Sequence, residues 1–163
     1  MNTALCPGTY DPITVGHLDI ITRCARSFER VVVAVVKDAY RKLPLFSDEE
    51  RVYFVEESTQ DLPNVEVVLL EGLVVELARK VGADAVVKGL RAITDFEYEF
   101  QMAQLNKKLD PRLETVFLMA SPAYSYLSSS GVREIAAFGG CVDDLVPAAV
   151  ARRFAELYPR VKG

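Results

Sequence analysis

Tryptophan is absent from this chain and histidine occurs once, which excludes every site built from a cluster of imidazoles. The three cysteines, Cys6, Cys24 and Cys141, are odd in number, widely spaced and without a C-x-x-C pair. With one histidine to join them they do not suggest a zinc site, and no protein metal site is expected; reduced thiols are the default, and a catalytic role for Cys6 is disfavoured. No apolar run reaches the length of a membrane span, and the first residues lack the basic and long apolar regions of a secretion signal, so a cytoplasmic protein without membrane contact is expected. A formal net charge of −4 argues against nucleic acid as a partner, and any phosphate ligand must be held by a local basic pocket. Linkers, repeats and low-complexity tracts are missing too. The 163 residues, half of them apolar, therefore read as a single domain over 1–163 with a substantial core.

What is present is an alternation of short β-branched runs with helical patterns, the mark of a parallel sheet covered on both faces. Strands are predicted over 3–6, 31–36, 65–69, 85–88 and 115–119. Ser47-Asp48-Glu49-Glu50 reads as a capping box opening a helix to about Gln60. A helix over 73–81 should end at Gly82, which suits a left-handed cap; two more should run from Ser130 to about Phe138 and onward from Pro147. The fold class expected is α/β, Rossmann-like and five-stranded.

The single histidine falls in Thr14-Val15-Gly16-His17, just after the first strand and the turn-rich stretch Pro7-Gly8-Thr9-Tyr10-Asp11-Pro12. A strand running into a glycine-bearing loop and a helix is where α/β proteins hold phosphates, on free N–H groups and the positive helix end. With Leu18, Ile20, Ile21 and Ala25 facing the core, the helix would open at Gly16 and carry His17 on its first turn. An imidazolium is disfavoured there, so the histidine suggests a nearby anion; the plainer reading is a solvated first-turn residue.

The stretch 7–17 resembles the first signature of the nucleotidyltransferase α/β-phosphodiesterase superfamily, an H-x-G-H or T-x-G-H after the first strand, and Thr14 points to its phosphopantetheine adenylyltransferase branch. Lys42 before Pro44, Gly89-Leu90-Arg91, Asp95-Phe96-Glu97-Tyr98-Glu99 and Tyr124 to Ser130 continue the similarity in the family's order. The resemblance implies transfer of AMP from ATP to 4′-phosphopantetheine, giving dephospho-coenzyme A and pyrophosphate. It also implies Mg2+ assisting the triphosphate, coenzyme A as a candidate inhibitor, and a homohexamer. His17 would stabilise the pentavalent transition state, Thr9 would contact both substrates, and Lys42 would contact the acceptor phosphate.

Other assignments follow from the same blocks. Arg91 offers polyphosphate a planar fork of donors, and Gly89 permits close backbone approach. Lys88, where relatives carry arginine, keeps the charge for the acceptor phosphate but not the bidentate geometry. Ser128, Ser129 and Ser130 resemble the second signature, S-S-T/S-x-x-R ending at Arg133, and make an anion cradle at a helix start; plain N-capping by one serine would leave two unexplained. Tyr10, Leu90, Glu99, Tyr124, Ser125, Tyr126 and Leu127 are placed on the ATP side, and Val74 stands where a methionine often meets substrate.

The helix from Asp95 to about Leu109 carries two apolar stripes, Phe96, Phe100 and Ala103 on one face and Tyr98, Met102, Leu105 and Leu109 on the other. One stripe can pack on the sheet, while the other favours a subunit contact. Two alternatives to the phosphopantetheine reading stand: a relative acting on nicotinate mononucleotide or CTP, and a nucleotide-binding module without catalysis. Against the first are Thr14, the Gly-Leu-Arg block and the Asp95–Glu99 block; against the second is retention of the polar site residues.

Overall fold

The computed structural model describes residues 2–37, 43–91 and 93–159. Its elements run β1 (Thr3–Gly8), α1 (Val15–Ser27), β2 (Arg30–Val36), α2 (Asp48–Thr59), β3 (Val65–Leu70), α3 (Val74–Val81), β4 (Ala85–Leu90), α4 (Ile93–Leu109), β5 (Glu114–Met119), α5 (Ser129–Ala137) and α6 (Ala148–Leu157). The five strands form one sheet in the order β3-β2-β1-β4-β5, and every pairing is parallel. Strand order reverses between β1 and β4, which leaves a crevice beyond their C-terminal ends.

Alternation along the strands divides the core in two. Ala4, Cys6, Val31, Val33 and Val35 join Ile21, Phe54, Val132, Val150 and Phe154 on the face covered by α1, α2, α5 and α6. Leu5, Val32 and Ala34 pack with Val75 and Ala78 of α3 on the other. A two-residue side-chain period on strands buried on both sides produces this split directly.

Two differences from the expected elements bear on the site. β1 and β4 each extend two residues further, to Gly8 and Leu90, so Pro7, Gly8 and Gly89 belong to strand ends rather than to loops. The α1 helix opens at Val15 with Thr14 as N-cap, one residue before the predicted start, which makes His17 the third helical residue. The division of α4 into a sheet-facing and a solvent-facing stripe holds only in part. Phe96 meets Phe117 of β5 edge-on, but Phe96, Phe100, Leu105 and Leu109 all remain about half exposed.

Candidate active site

A cleft of about 470 Å³ opens at the crevice between β1 and β4. Gly8 ends β1 because the Tyr10 ring folds back over it: a Cβ on Gly8 would sit 2.9 Å from that ring. Tyr10 adopts a left-handed φ of 49°, and its hydroxyl donates to the Cys6 carbonyl at 3.0 Å, so the loop is wound tightly before α1 begins.

His17 closes a capping box. Its backbone N–H donates to Thr14 Oγ1 at 3.3 Å, while the Thr14 backbone N–H donates to His17 Nδ1 at 3.0 Å. A nitrogen that accepts an N–H carries no proton of its own, so in the neutral ring the proton sits on Nε2. Burial, then the charges of Arg91 and Lys88, push its pKa down to about 4. The imidazole is thus neutral near pH 7, and no neighbouring anion is required to keep it at a helix start. The edge of Tyr10 packs on the ring at 5.1 Å between centroids.

The two cations come from β4 and its end. Lys88 donates to the Pro7 carbonyl at 3.2 Å and pairs with Glu99 of α4 at 3.3 Å. Arg91 forks onto the Asp95 carboxylate at 3.0 and 3.3 Å and reaches the Leu127 carbonyl at 2.7 Å. Across the cleft, Ser128 caps α5 by accepting from the Gly131 N–H at 3.1 Å. Ser129 donates to the Pro12 carbonyl at 2.8 Å, binding α5 to the loop after β1, and the Ser130 hydroxyl lies 3.4 Å from that of Ser128. Two of the three serines therefore have structural partners, not one as N-capping alone allows.

A cytidylyltransferase-like family model matches residues 5–135. The phosphopantetheine adenylyltransferase of Caldanaerobacter subterraneus subsp. tengcongensis is 54% identical over 160 residues, 98% of this chain and 99% of that protein. That of Rubrobacter xylanophilus is also 54% identical, over 163 residues, 100% of this chain and 99% of its own. The chain belongs to the phosphopantetheine adenylyltransferase family. Among solved structures, a Vibrio parahaemolyticus protein provisionally assigned as a nicotinate-nucleotide adenylyltransferase superposes with a TM-score of 0.71 over 96% of this chain and 93% of its own; at 15% identity it shares the fold alone.

Of the residues that the family motifs single out, Thr9, Tyr10, His17, Lys88, Gly89, Arg91, Glu99, Tyr124, Leu127, Ser128, Ser129 and Ser130 line the one cleft. Four described ones do not. Leu90 is buried and Tyr126 is exposed; the Ser125 hydroxyl turns to the Pro122 carbonyl at 3.1 Å. Val74 packs against the α3 face of the core. Lys42 lies outside the described residues. Gly89 has a packing reason: a Cβ there would meet Ile20 of α1 at 3.0 Å, so the close approach it permits is that of α1 to β4. Cys6 turns its thiol to Cys24 at 3.7 Å, and that hydrogen bond and burial raise its pKa well above the usual thiol range, which leaves it inert.

Two structural residues escaped the sequence reading. Buried Asp11 accepts the Leu45 and Phe46 N–H groups at 2.9 and 3.0 Å and pairs with Arg133 at 3.4 Å. Arg51 is wholly buried in α2. Its signal was present: Arg51, Phe54, Val55 and Thr59 fall at helical spacing on one face, so an arginine occupies a core position.

Proposed function

We propose that this enzyme transfers AMP from ATP to 4′-phosphopantetheine in the cytoplasm, giving dephospho-coenzyme A and pyrophosphate for coenzyme A biosynthesis. The observation that carries the reading is a neutral histidine, its Nδ1 occupied by Thr14, lining one cleft with two cations on β4 and its end. An oxygen of the acceptor phosphate forms its bond to the α-phosphorus as the bond to pyrophosphate breaks, so no side-chain nucleophile is needed. Catalysis then consists of positioning and stabilising charge on the phosphoryl oxygens. His17 serves as an Nε2–H donor to those oxygens, and being neutral it holds that proton at a fixed atom throughout.

Thr9 lies on the same strand-end loop and contacts both substrates in this reading. Lys88 and Lys42 take the acceptor phosphate. Arg91, Ser130 and the start of α5 take the polyphosphate, with Glu99 and Tyr124 on the nucleotide side. Incoming anions compete with Glu99 for Lys88 and with Asp95 for Arg91, which matches two cations held ready at paired carboxylates. Mg2+ bound with ATP would supply charge neutralisation on the triphosphate. Its ligands in this reading would be mainly phosphate oxygens and water, the usual company of Mg2+ bound with a nucleotide.

The assembly proposed is a homohexamer, and the half-exposed apolar residues of α4 support a subunit contact within it. Coenzyme A, which shares the adenylylated pantetheine skeleton of the product, is proposed as an inhibitor at the same cleft. A coupled pyrophosphate-release assay across acceptors tests the reading. Release from ATP is expected with 4′-phosphopantetheine, and preferential turnover of nicotinate mononucleotide, or of CTP with a phospho-alcohol, overturns it.

A further inference from the structure

Arg51 sits in the first turn of α2 with its side chain fully buried. One Nη1 donates to the carbonyl of Thr9 at 2.7 Å and to that of Val36, the last residue of β2, at 2.8 Å. The Nε donates to the Phe46 carbonyl at 3.2 Å, and Nη2 pairs with Asp48. Three of its four partners are main-chain carbonyls, so the guanidinium fixes backbone from three separate stretches of chain. Phe46 is held from its other side by Asp11, which belongs to the same loop as Thr9. Thr9 lines the cleft, whereas Arg51 does not.

We propose that Arg51 is a positioning residue for adenylyl transfer, acting through the Thr9 backbone to hold that side chain at the reacting phosphate. This inference rests on the reading given above. The nucleotide side of the cleft is held by another tie, Arg91 to the Leu127 carbonyl, so Arg51 bears on turnover and acceptor use more than on capture of ATP. A lysine keeps the charge but gathers its donors on one atom, and cannot span carbonyls that Nε and Nη1 reach separately.

The test is a double-mutant cycle of Arg51→Lys with Thr9→Ala, read as kcat, the KM for each substrate and the Kd for ATP, with a melting curve for every variant. Arg51→Lys is expected to lower kcat by about ten- to a hundredfold, the scale of a displaced contact, and to leave the ATP Kd within about threefold. In the Thr9→Ala background the same change should cost under about threefold, because the two residues act as one unit. Wild-type kcat in a folded Arg51→Lys, or losses that multiply across the cycle, overturns the proposal. Should Arg51→Lys not fold, Asp48→Asn removes the carboxylate that orients the guanidinium from a partly exposed position. A drop in kcat of a few-fold that vanishes on Thr9→Ala is then expected, and an unchanged or multiplicative result overturns it. Absence of pyrophosphate release by the wild type fails the adenylyl-transfer reading and this inference with it; normal wild-type turnover with an indifferent Arg51 variant fails this inference alone.

Discussion

The backbone N–H of Thr14 donates to Nδ1 of His17 at 3.0 Å, and this one contact decides both the tautomer and the charge of the histidine. Protonating Nδ1 would turn an acceptor into a donor aimed at another donor, at a helix end already positive and beside Lys88 and Arg91. The site thus has a fixed Nε2–H rather than a titrating group.

A pH dependence of stability follows. The folded pKa is about 4 against an ordinary 6.5, so between those values the unfolded chain binds a proton that the folded chain does not. Stability from this group is complete above pH 6.5 and declines as pH falls toward 4, by about 3 kcal/mol at most. Denaturant melts across that window should show a slope that is shallower in His17→Gln. No acid limb of the wild-type kcat near 6.5 should depend on His17, and one found there that is lost on replacing His17 would show that the ring titrates in the working enzyme.

His17→Ala should lower kcat at least about a hundredfold and leave ATP binding within a few-fold, as for a donor aimed at charge formed in the transition state. Single-turnover rates and nucleotide titration measure the two separately. Near-normal turnover would reduce the residue to a helix cap.

How far this site could be read without coordinates depended on how each residue acts. The sheet was legible because short apolar runs, most clearly the valine run of β2, alternate with helical patterns, and errors were confined to strand ends such as Gly8 and Leu90. His17, Lys88 and Arg91 were legible as cleft residues because they stand in or beside the blocks that carry the family resemblance. Arg51 was not, since a helical arginine is ordinarily solvated, and only its phase with Phe54 and Val55 marks it as buried. The tautomer of His17 was not legible, because the Thr14 backbone N–H that fixes the proton on Nε2 is invisible in residue identity. The packing reason for Gly89 was not legible, because nothing in the sequence tells that Ile20 of α1 lies where its Cβ would be.

Lys88 and Arg91 have different carboxylate partners, Glu99 in one case and Asp95 in the other, which lets geometry be tested apart from charge. Lys88→Arg should be tolerated within a few-fold. Arg91→Lys should raise the KM for ATP or depress kcat markedly, because a point charge cannot reproduce a fork. Lys88→Ala should weaken 4′-phosphopantetheine more than ATP. Equal sensitivity of both substrates to both positions would mean one shared field and no division of phosphates.

The exposed apolar face of α4 predicts the behaviour of the assembly. Leu105, about half exposed in the single chain, and partly buried Met102 should lie between subunits, so Leu105→Glu or Met102→Glu would place an unpaired charge in an apolar contact. Light scattering should then report smaller species. A wild-type protein that sediments as a monomer would refute the contact outright.

The serine run separates stability from catalysis within three adjacent residues. Ser128 caps α5, and Ser128→Ala should cost about 1 kcal/mol of stability, the usual value of a lost N-cap. Ser129 donates to the Pro12 carbonyl, so Ser129→Ala should also cost about 1 kcal/mol. Its effect on kcat should be modest and indirect, through the loop that carries Thr9. Ser130 is exposed at the cleft, with the Ser128 hydroxyl 3.4 Å away, beyond a good hydroxyl hydrogen bond. Ser130→Ala should leave the melting temperature nearly unchanged and raise the KM for ATP or lower kcat. Melting curves and steady-state kinetics on the three single variants decide the matter. If Ser130→Ala destabilises as much as the other two and turns over normally, the run is a helix start and nothing more, and the polyphosphate must be held by Arg91 and the N–H groups of α5.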